Sequence, residues 1–227
     1  MATEASGSGI DVAALQRLKG PENMALDGAL LGRAELGTSG LRVYRWDGVW
    51  VSLGRFQKPE SDLVEPHRVP WVIRPTGGRG VLHGHDVTVA FSTPLASLKL
   101  GSASRSVREV YREVTRPLIR ALVASGVDAA LGEDTEFGSI NPRSADCFAH
   151  VSANDIVERT QGTKVCGVAM RITERAVLIQ ASIPAGPPLV DPTLVFRQGV
   201  RAHWIELNDS KFEGELINAY VKTPFSL

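Results

Sequence analysis

Three glycines between two strand-like apolar segments constrain this chain more than any other feature of the sequence. Residues 74–83 read RPTGGRGVLH, with apolar segments before them at residues 69–73 and after them at residues 86–91. Glycine allows backbone N–H groups to approach a ligand that side chains would otherwise hold away. The pattern therefore predicts two strands joined by a ligand-contacting loop, with an ordinary glycine-rich turn as the alternative.

Charged side chains could add to the ligand contacts of this loop. Arg74 and Arg79 offer charge-assisted donors beside the glycines. The glycine spacing fits neither the dinucleotide fingerprint nor the phosphate loop, because no helix is predicted directly after it. The loop alone therefore does not predict nucleotide binding.

A lysine on a later apolar strand is the second informative feature. Small residues surround Lys164 in the sequence, namely Gly162, Gly167 and Ala169, and they leave room for a ligand against the backbone. A lysine ammonium suits a carboxylate, a thioester carbonyl or a phosphate. The alternative is a solvated lysine on the strand surface.

The composition indicates one large domain without a long-range electrostatic partner. The 227 residues are 43% hydrophobic, and 25 basic residues balance 25 acidic ones, which argues against nucleic acid or an anionic membrane as partner. No apolar run approaches the roughly 20 residues that span a bilayer. We expect a soluble, cytoplasmic protein with a disordered N-terminus at residues 1–15 and a single domain at residues 16–227.

Apolar residues at helical spacing predict three helices, at residues 23–34, 106–125 and 210–221. Asn23 is placed to cap the first helix. Pro117 lies inside the second helix, where its missing N–H is expected to kink or divide it.

Alternating apolar residues predict several strands and one tight hairpin. Residues 41–46 and 49–53 flank the dipeptide Asp47-Gly48, which tolerates the positive φ angles of a two-residue hairpin turn. Further strands are expected at residues 69–73, 86–91, 164–170 and 176–183. Helices and strands mixed within one unit indicate an α/β fold.

Cysteines and histidines are the candidates for nucleophilic or metal chemistry. His83 and His85 lack partners at metal-ligand spacing, so a structural or loop-orienting role is favoured and no metal site is expected. His150 follows Cys147 by three residues, and a nearby imidazole would activate the thiol. An unreactive, buried Cys147 is the alternative, and a packing role is expected for Cys166.

Four motifs in this order resemble those of the lipoate–protein ligase and octanoyltransferase family. The resemblance extends from about residue 23 to residue 183. The motifs are NMALD at residues 23–27, VSLGRFQ at residues 51–57, the glycine loop at residues 74–83, and NDIV at residues 154–157 followed by Lys164 and Gly167. The sequence departs from the usual family pattern at Gly28, Pro75, Arg79 and Gly84. Because of Arg79, the glycine loop slightly resembles that of the biotin ligases.

The resemblance implies a class II aminoacyl-tRNA synthetase and biotin synthetase-like fold, with a mixed sheet flanked by helices. Many ligases of the family need a small C-terminal accessory domain, but we expect none here, because the sequence ends soon after the core. It implies an octanoyl or lipoyl substrate whose carbon chain occupies an apolar tunnel. The acceptor would be a lysine of a lipoyl domain or of a glycine-cleavage carrier protein. The residues implied to contact the acyl group are Arg74, Thr76, Gly77, Gly78, Arg79, Gly80, His83, Gly167 and Ala169.

Two catalytic reactions remain open, and both use Lys164. In cysteine-type octanoyltransferases of the family, a thiol in a Cys-Phe context accepts the acyl group from octanoyl-acyl carrier protein without a cofactor, and Cys147-Phe148 resembles it. In the ligases, ATP and Mg²⁺ activate free lipoate or octanoate, and Asn154-Asp155 resembles that class. We favour the transferase. Biotin ligation and a non-catalytic module that binds a lipoyl domain are the remaining alternatives.

Overall fold

The computed structural model describes residues 10–100, 106–137, 144–201 and 203–222. Within these ranges the chain forms a seven-stranded mixed sheet, a three-stranded sheet and flanking helices, so the predicted α/β architecture is confirmed. The helices are α1 (Gly20–Glu35), α2 (Pro59–Asp62), α3 (Val107–Ala124) and α4 (Asp209–Ile217). The strands are β1 (Ile10–Leu18), β2 (Ser39–Trp46), β3 (Trp50–Leu53), β4 (Trp71–Ile73), β5 (Val81–His83), β6 (Asp86–Pro94), β7 (Ala129–Leu131), β8 (Ile156–Glu158), β9 (Lys164–Ile172) and β10 (Ala176–Pro184).

The two faces of the main sheet serve different purposes. Its strand order is β1-β2-β6-β10-β9-β8-β7, and its central strands β6 and β10 pair antiparallel. Because successive side chains point to opposite faces, every second residue of a central strand reaches the same layer. One face packs an apolar core against α3 and α4, with contributions from Val87, Val89, Phe91, Val177, Ile179 and Ile183. The other face is covered by α1 only in part, which leaves room for a site.

Helix α3 is a single helix despite the proline within it. A capping box begins the helix: Ser106 Oγ accepts the Glu109 N–H, and the Glu109 carboxylate accepts the Ser106 N–H. Pro117 is buried inside the helix and does not divide it, so the second of the two predicted effects does not occur. The hydroxyl of Tyr220 donates to the Val114 carbonyl at 2.8 Å and ties this part of the helix to the C-terminal segment. Tertiary packing therefore holds the helix together across the missing N–H.

The predicted hairpin between residues 41–46 and 49–53 is wrong, although both strands exist. Strand β2 is hydrogen-bonded to β1 on one edge and to β6 on the other, so it has no free edge for β3. Strand β3 instead pairs in parallel with β4 and antiparallel with β5. Gly48, with a φ of 80°, lets the chain turn out of one sheet and into the other. This turn brings the small sheet to the site face of the large one.

Strand β1 begins before the predicted N-terminal boundary of the domain. Residues 10–15, expected to be disordered, belong to β1 and pair in parallel with β2. Pairing with β2 supplies this order, which the local sequence does not predict. Residues 1–9 lie outside the described residues.

The predicted first and last helices are confirmed, with shifted ends. Helix α1 begins at Gly20, so Asn23 lies inside it and does not cap it; its amide donates to the Leu18 carbonyl. The C-terminal helix is α4, continued by a π-helical turn at Asn218–Lys222. Among the described helices, none combines the length and the apolar character that a membrane span requires.

Asp86 fixes the turn between β5 and β6 and thereby joins the two sheets. One carboxylate oxygen contacts His83 Nδ1 at 2.7 Å and accepts the hydroxyls of Ser182 at 2.7 Å and Thr88 at 2.9 Å. The other oxygen accepts the Gly84 N–H at 3.2 Å. Burial opposes the charge, but the His83 imidazole and these hydrogen bonds outweigh it and hold the pKa of Asp86 well below its usual value.

We expect Asp86→Asn to destabilise the fold in a pH-dependent manner. A carboxyl with a depressed pKa stabilises the folded chain fully above its unfolded pKa of about 3.9, and this contribution declines as the pH falls below that value. The variant should lose about 3 kcal/mol of unfolding free energy at pH 7 and less at pH 3, as measured by urea denaturation. Asp128→Asn, which changes an exposed carboxylate paired with Arg159, is the control. Equal losses at both pH values would contradict this role.

Candidate active site

The floor of the candidate site is a row of residues across four strands of the main sheet. Gly167 of β9 lies beside Ser182 of β10, Ser182 beside Thr88 of β6, and Thr88 beside Tyr44 of β2. At the usual spacing of about 4.8 Å between strands, the row is about 14 Å long. Its first three members are small, so there is open space above the sheet.

A narrow cavity, partly open to solvent, lies above this row. The small sheet forms its roof through Ser52, Val81 and His83. Trp46 lines the cavity beside Tyr44 and stacks on the His83 ring, with the ring centroids 3.9 Å apart. Cys147 lines the cavity at the β9 end of the row, because a Cβ on Gly167 would lie 2.9 Å from its sulfur.

Arg74 holds the glycine loop in its observed shape. Its guanidinium donates to the carbonyls of Gly77 at 2.6 Å, Arg79 at 2.7 Å and Ser52 at 2.9 Å, and to the Thr76 hydroxyl at 3.1 Å. Burial lowers the pKa of Arg74 to about 10, and the electrostatic interaction with Cys147 opposes this shift. The sequence suggested a charged donor to the ligand. In the structure, the N–H donors of Arg74 are hydrogen-bonded to the protein instead.

The polar residues around the cavity satisfy one another. Gln180 donates to Asp27 at 2.6 Å and accepts the Thr76 hydroxyl at 2.7 Å. Trp46 Nε1 donates to the Thr88 hydroxyl at 2.9 Å. Ser52 Oγ and His83 Nε2 are 2.7 Å apart, while the other nitrogen of His83 contacts Asp86. Because these hydrogen bonds are made within the protein, the cavity can receive an apolar chain without leaving buried polar groups unpaired.

Close backbone contacts connect the glycine loop to the segment that carries Cys147. A Cβ on Gly54 would lie 2.0 Å from the carbonyl oxygen of Gly78, so only glycine permits this approach. The Gly80 N–H donates to the Ala145 carbonyl, and the Cys147 N–H donates to the Gly80 carbonyl, both at 2.8 Å. The loop therefore places Cys147 through main-chain hydrogen bonds.

Cys147 faces Lys164, which the sequence left open. The sulfur lies 3.3 Å from Lys164 Nζ, and the same ammonium donates to the Cys147 carbonyl at 2.5 Å. Asp146 begins the 3-10 turn at Cys147–Ala149 by accepting the Phe148 N–H at 2.9 Å. His150 was a candidate activator, but its recorded contact with the pair is its carbonyl, 3.5 Å from Lys164 Nζ. The cation beside the thiol is therefore a lysine.

A buried carboxylate completes the surroundings of Lys164. Asp155 Oδ1 lies 2.8 Å from Lys164 Nζ, and both side chains are at most 7% exposed. Burial alone would lower the pKa of Lys164, but negative charge on Cys147 and Asp155 outweighs it and raises the pKa. Lys164 is thus held in its charged form at neutral pH.

The cysteine–lysine pair lies where the cavity meets the surface. Cys147 also lines an open depression, together with Lys164, Arg79 and Arg108. Most of the residues expected to contact the acyl group border the cavity or this depression, namely Arg74, Gly77, Gly78, Arg79, His83, Gly167 and Ala169. The lining of these two spaces does not include Thr76 or Gly80, which act through the shape of the loop. Cys166 packs in the core as predicted.

The sequence analysis missed several polar residues of the site. Asp86, Thr88, Gln180 and Ser182 stand at alternate positions of strands that are buried on both faces. Polar residues in that pattern need partners, so the pattern itself indicated a polar network. Within the described ranges, no three metal-ligating side chains come together.

Sequence comparison identifies relatives of this chain. Over 171 residues, the chain is 34% identical to the octanoyltransferase LipM of Halalkalibacterium halodurans. This alignment covers 71% of the chain and 60% of the relative, so the chain spans less than two thirds of that protein.

Solved structures show the same fold at low sequence identity. The crystal structure of lipoate-protein ligase A bound with ATP has a TM-score of 0.69 at 18% identity, covering 92% of this chain and 83% of that one. The bi-partite lipoate protein ligase of Thermoplasma acidophilum has a TM-score of 0.64 at 18% identity, covering 92% and 82%. The fold predicted from the motifs is therefore that of the lipoate ligases.

A family model adds the final evidence. Residues 19–199 match it, and this range contains the glycine loop, Cys147 and Lys164. The chain therefore belongs to the lipoyl protein ligase A/B catalytic domain family.

Proposed function

We propose that the chain transfers an octanoyl group from octanoyl-acyl carrier protein to a lysine of a lipoyl domain or glycine-cleavage carrier protein. The acyl group would be carried as a thioester on Cys147. One observation carries the proposal: the thiol lies 3.3 Å from the Lys164 ammonium, where a narrow cavity opens to the surface. The description of a relative as an octanoyltransferase supports the same reaction.

In the first step, the Cys147 thiolate attacks the carbonyl carbon of the donor thioester. A new C–S bond forms and the carbonyl oxygen becomes an oxyanion. Collapse of this intermediate breaks the bond to the donor sulfur, and the donor thiol gains the proton that Cys147 lost. The Lys164 ammonium lies beside the reacting sulfur and can donate a hydrogen bond to the oxyanion.

In the second step, the neutral ε-amine of the acceptor lysine attacks the acyl-Cys147 carbonyl. An amide bond forms, the C–S bond breaks, and the proton released by the amine restores the Cys147 thiol. The open depression beside Cys147 and Lys164 gives the acceptor lysine a route to the thioester. Dividing the transfer into two steps is the usual advantage of a covalent nucleophile.

The cavity is suited to the carbon chain of an acyl group. It extends from Cys147 above Gly167 towards Tyr44 and Trp46, and the polar groups along it are already hydrogen-bonded within the protein. An apolar chain there would be removed from water without breaking these bonds. A lipoyl group is the alternative cargo.

The competing ligase reaction would need ATP and Mg²⁺, whereas the transferase needs no cofactor. Asp155 is the carboxylate nearest to Lys164, and both of its oxygens are bonded within the protein. Oδ1 contacts Lys164, and Oδ2 accepts the N–H of Ser152 at 2.7 Å and its hydroxyl at 2.9 Å. Three of the about four acceptor positions of this carboxylate are thus occupied within the protein. The carboxylate is therefore poorly placed to bind Mg²⁺, which favours the transferase.

We expect an octanoyl adduct on Cys147 when the protein is incubated with octanoyl-acyl carrier protein and analysed by intact-mass spectrometry. Hydroxylamine should remove the adduct, because it cleaves thioesters. Cys147→Ala should abolish the adduct, Lys164→Ala should slow its formation by about 10² to 10³, and Cys166→Ala should retain it. A protein without an adduct that acylates a lipoyl domain only with ATP, Mg²⁺ and free acid is a ligase. Binding without acylation would indicate a non-catalytic module.

We expect Gly167→Ala to disable the thiol while leaving the fold intact. The new Cβ would lie 2.9 Å from Cys147 Sγ, so the sulfur must shift from its position beside Lys164, whose Cε lies at an ordinary contact distance of 3.5 Å from the new Cβ. A displacement of this kind should slow adduct formation by about 10² in a time course read by mass. Gly28→Ala makes the same chemical change where no atom lies within 4 Å, and it should leave the rate unchanged. Unchanged acylation in Gly167→Ala would argue against the proposed geometry.

A further inference from the structure

We infer that Asp155 is a positioning residue that aims a single N–H donor of Lys164 at the reacting carbonyl. This inference rests on the proposed acyl transfer through Cys147. Asp155 does not touch the sulfur in the structure and acts through the lysine.

The polar contacts of Lys164 divide into two short ones and two long ones. An ammonium has three N–H donors. One is directed at Asp155 Oδ1 at 2.8 Å, and one at the Cys147 carbonyl at 2.5 Å. The remaining contacts are long, at 3.3 Å to the Cys147 sulfur and 3.5 Å to the His150 carbonyl. The third donor is therefore the one that can move to an oxyanion at little cost.

The anchor that Asp155 provides is itself rigid. Oδ2 accepts two hydrogen bonds from Ser152, one from the N–H and one from the hydroxyl. The Asp155 carbonyl accepts the Gly132 N–H at 2.8 Å, and its own N–H donates to the Ser152 carbonyl at 3.0 Å. Side chain and main chain are both fixed, so the carboxylate cannot follow the lysine if the lysine turns. The direction of the ammonium is thus determined by Asp155.

The Phe148 ring restricts Lys164 on a further side. Its centroid lies 5.2 Å from Lys164 Nζ, within the range of a cation–π contact. With Asp155 and the Cys147 carbonyl fixing two donors, the side that remains faces the sulfur. A lysine held this way stabilises charge that develops on the carbonyl oxygen without first reorganising.

Two reactions of Cys147 separate this positioning role from a general effect on the thiol. Acyl transfer develops an oxyanion that needs an oriented donor, whereas alkylation by iodoacetamide needs only a nucleophilic sulfur. We expect Asp155→Asn to slow octanoyl adduct formation by about 10² and to leave the alkylation rate at least as high as that of wild type. The loss of a carboxylate near the sulfur does not disfavour its negative charge. Lys164→Met should slow both reactions, because the cation beside the sulfur is lost.

Further variants test whether the rate of acyl transfer depends on the charge of Asp155 and on its hydrogen bonds with Ser152. Ser152→Ala removes one of the two bonds to Asp155 Oδ2, and it should slow acyl transfer less than Asp155→Asn does. Asp155→Glu, which keeps the charge, should recover part of the lost rate. Asp128→Asn removes an exposed carboxylate paired with Arg159 and should change neither reaction.

The outcomes distinguish this inference from the proposed function. Acyl transfer at the wild-type rate in Asp155→Asn would overturn the inference, as would an equal loss in both reactions, since Asp155 would then act on the thiol itself. If the wild-type protein forms no adduct on Cys147, the proposed function fails and this role fails with it. Slow acylation with preserved alkylation supports the inference, and the graded loss in Ser152→Ala strengthens it.

Discussion

The site depends on one buried cation, the guanidinium of Arg74, which is hydrogen-bonded to neutral oxygens. Its donors join the Gly77 and Arg79 carbonyls of the glycine loop to the Ser52 carbonyl of the small sheet. Because Arg74 is only 4% exposed, its N–H donors need acceptors within the protein. These hydrogen bonds fix the path of the loop. A loop of this composition would otherwise have many conformations at similar energy.

The same network connects the small sheet to the large one. Thr76 contacts Gln180 of β10, and His83 reaches Asp86 at the start of β6. These hydrogen bonds join the two sheets along the walls of the cavity and hold the space between the sheets open. The polar side chains of Trp46, Thr88 and Gln180 are already hydrogen-bonded within the protein. This explains how a cavity lined by several polar residues can suit an apolar chain.

The two residues of the reactive pair, Cys147 and Lys164, belong to separate elements of the structure. Cys147 is placed by main-chain hydrogen bonds to Gly80, and Lys164 begins β9 opposite β8. Their meeting requires the absence of a side chain at Gly167, whose Cβ would collide with the sulfur. Asp155 then determines which way the lysine points. Nucleophile, cation and anchor therefore depend on one another, and each is positioned by a different element.

The sequence by itself determined the α/β class, the helices α1, α3 and α4, the strands β9 and β10, and the loop that contains three glycines. These follow from periodicity and from residues whose backbone preferences are local. The family motifs also identified Cys147 and Lys164 as candidates. Tertiary structure decided what local preference cannot. Strand β3 does not pair with β2, because β1 and β6 occupy both edges of β2. Helix α3 continues through Pro117, because tertiary packing stabilises it there. Tertiary structure also decided that Cys147 faces Lys164 and that Asp155 anchors it, because these contacts join residues of separate elements, whose distance only the folded chain sets.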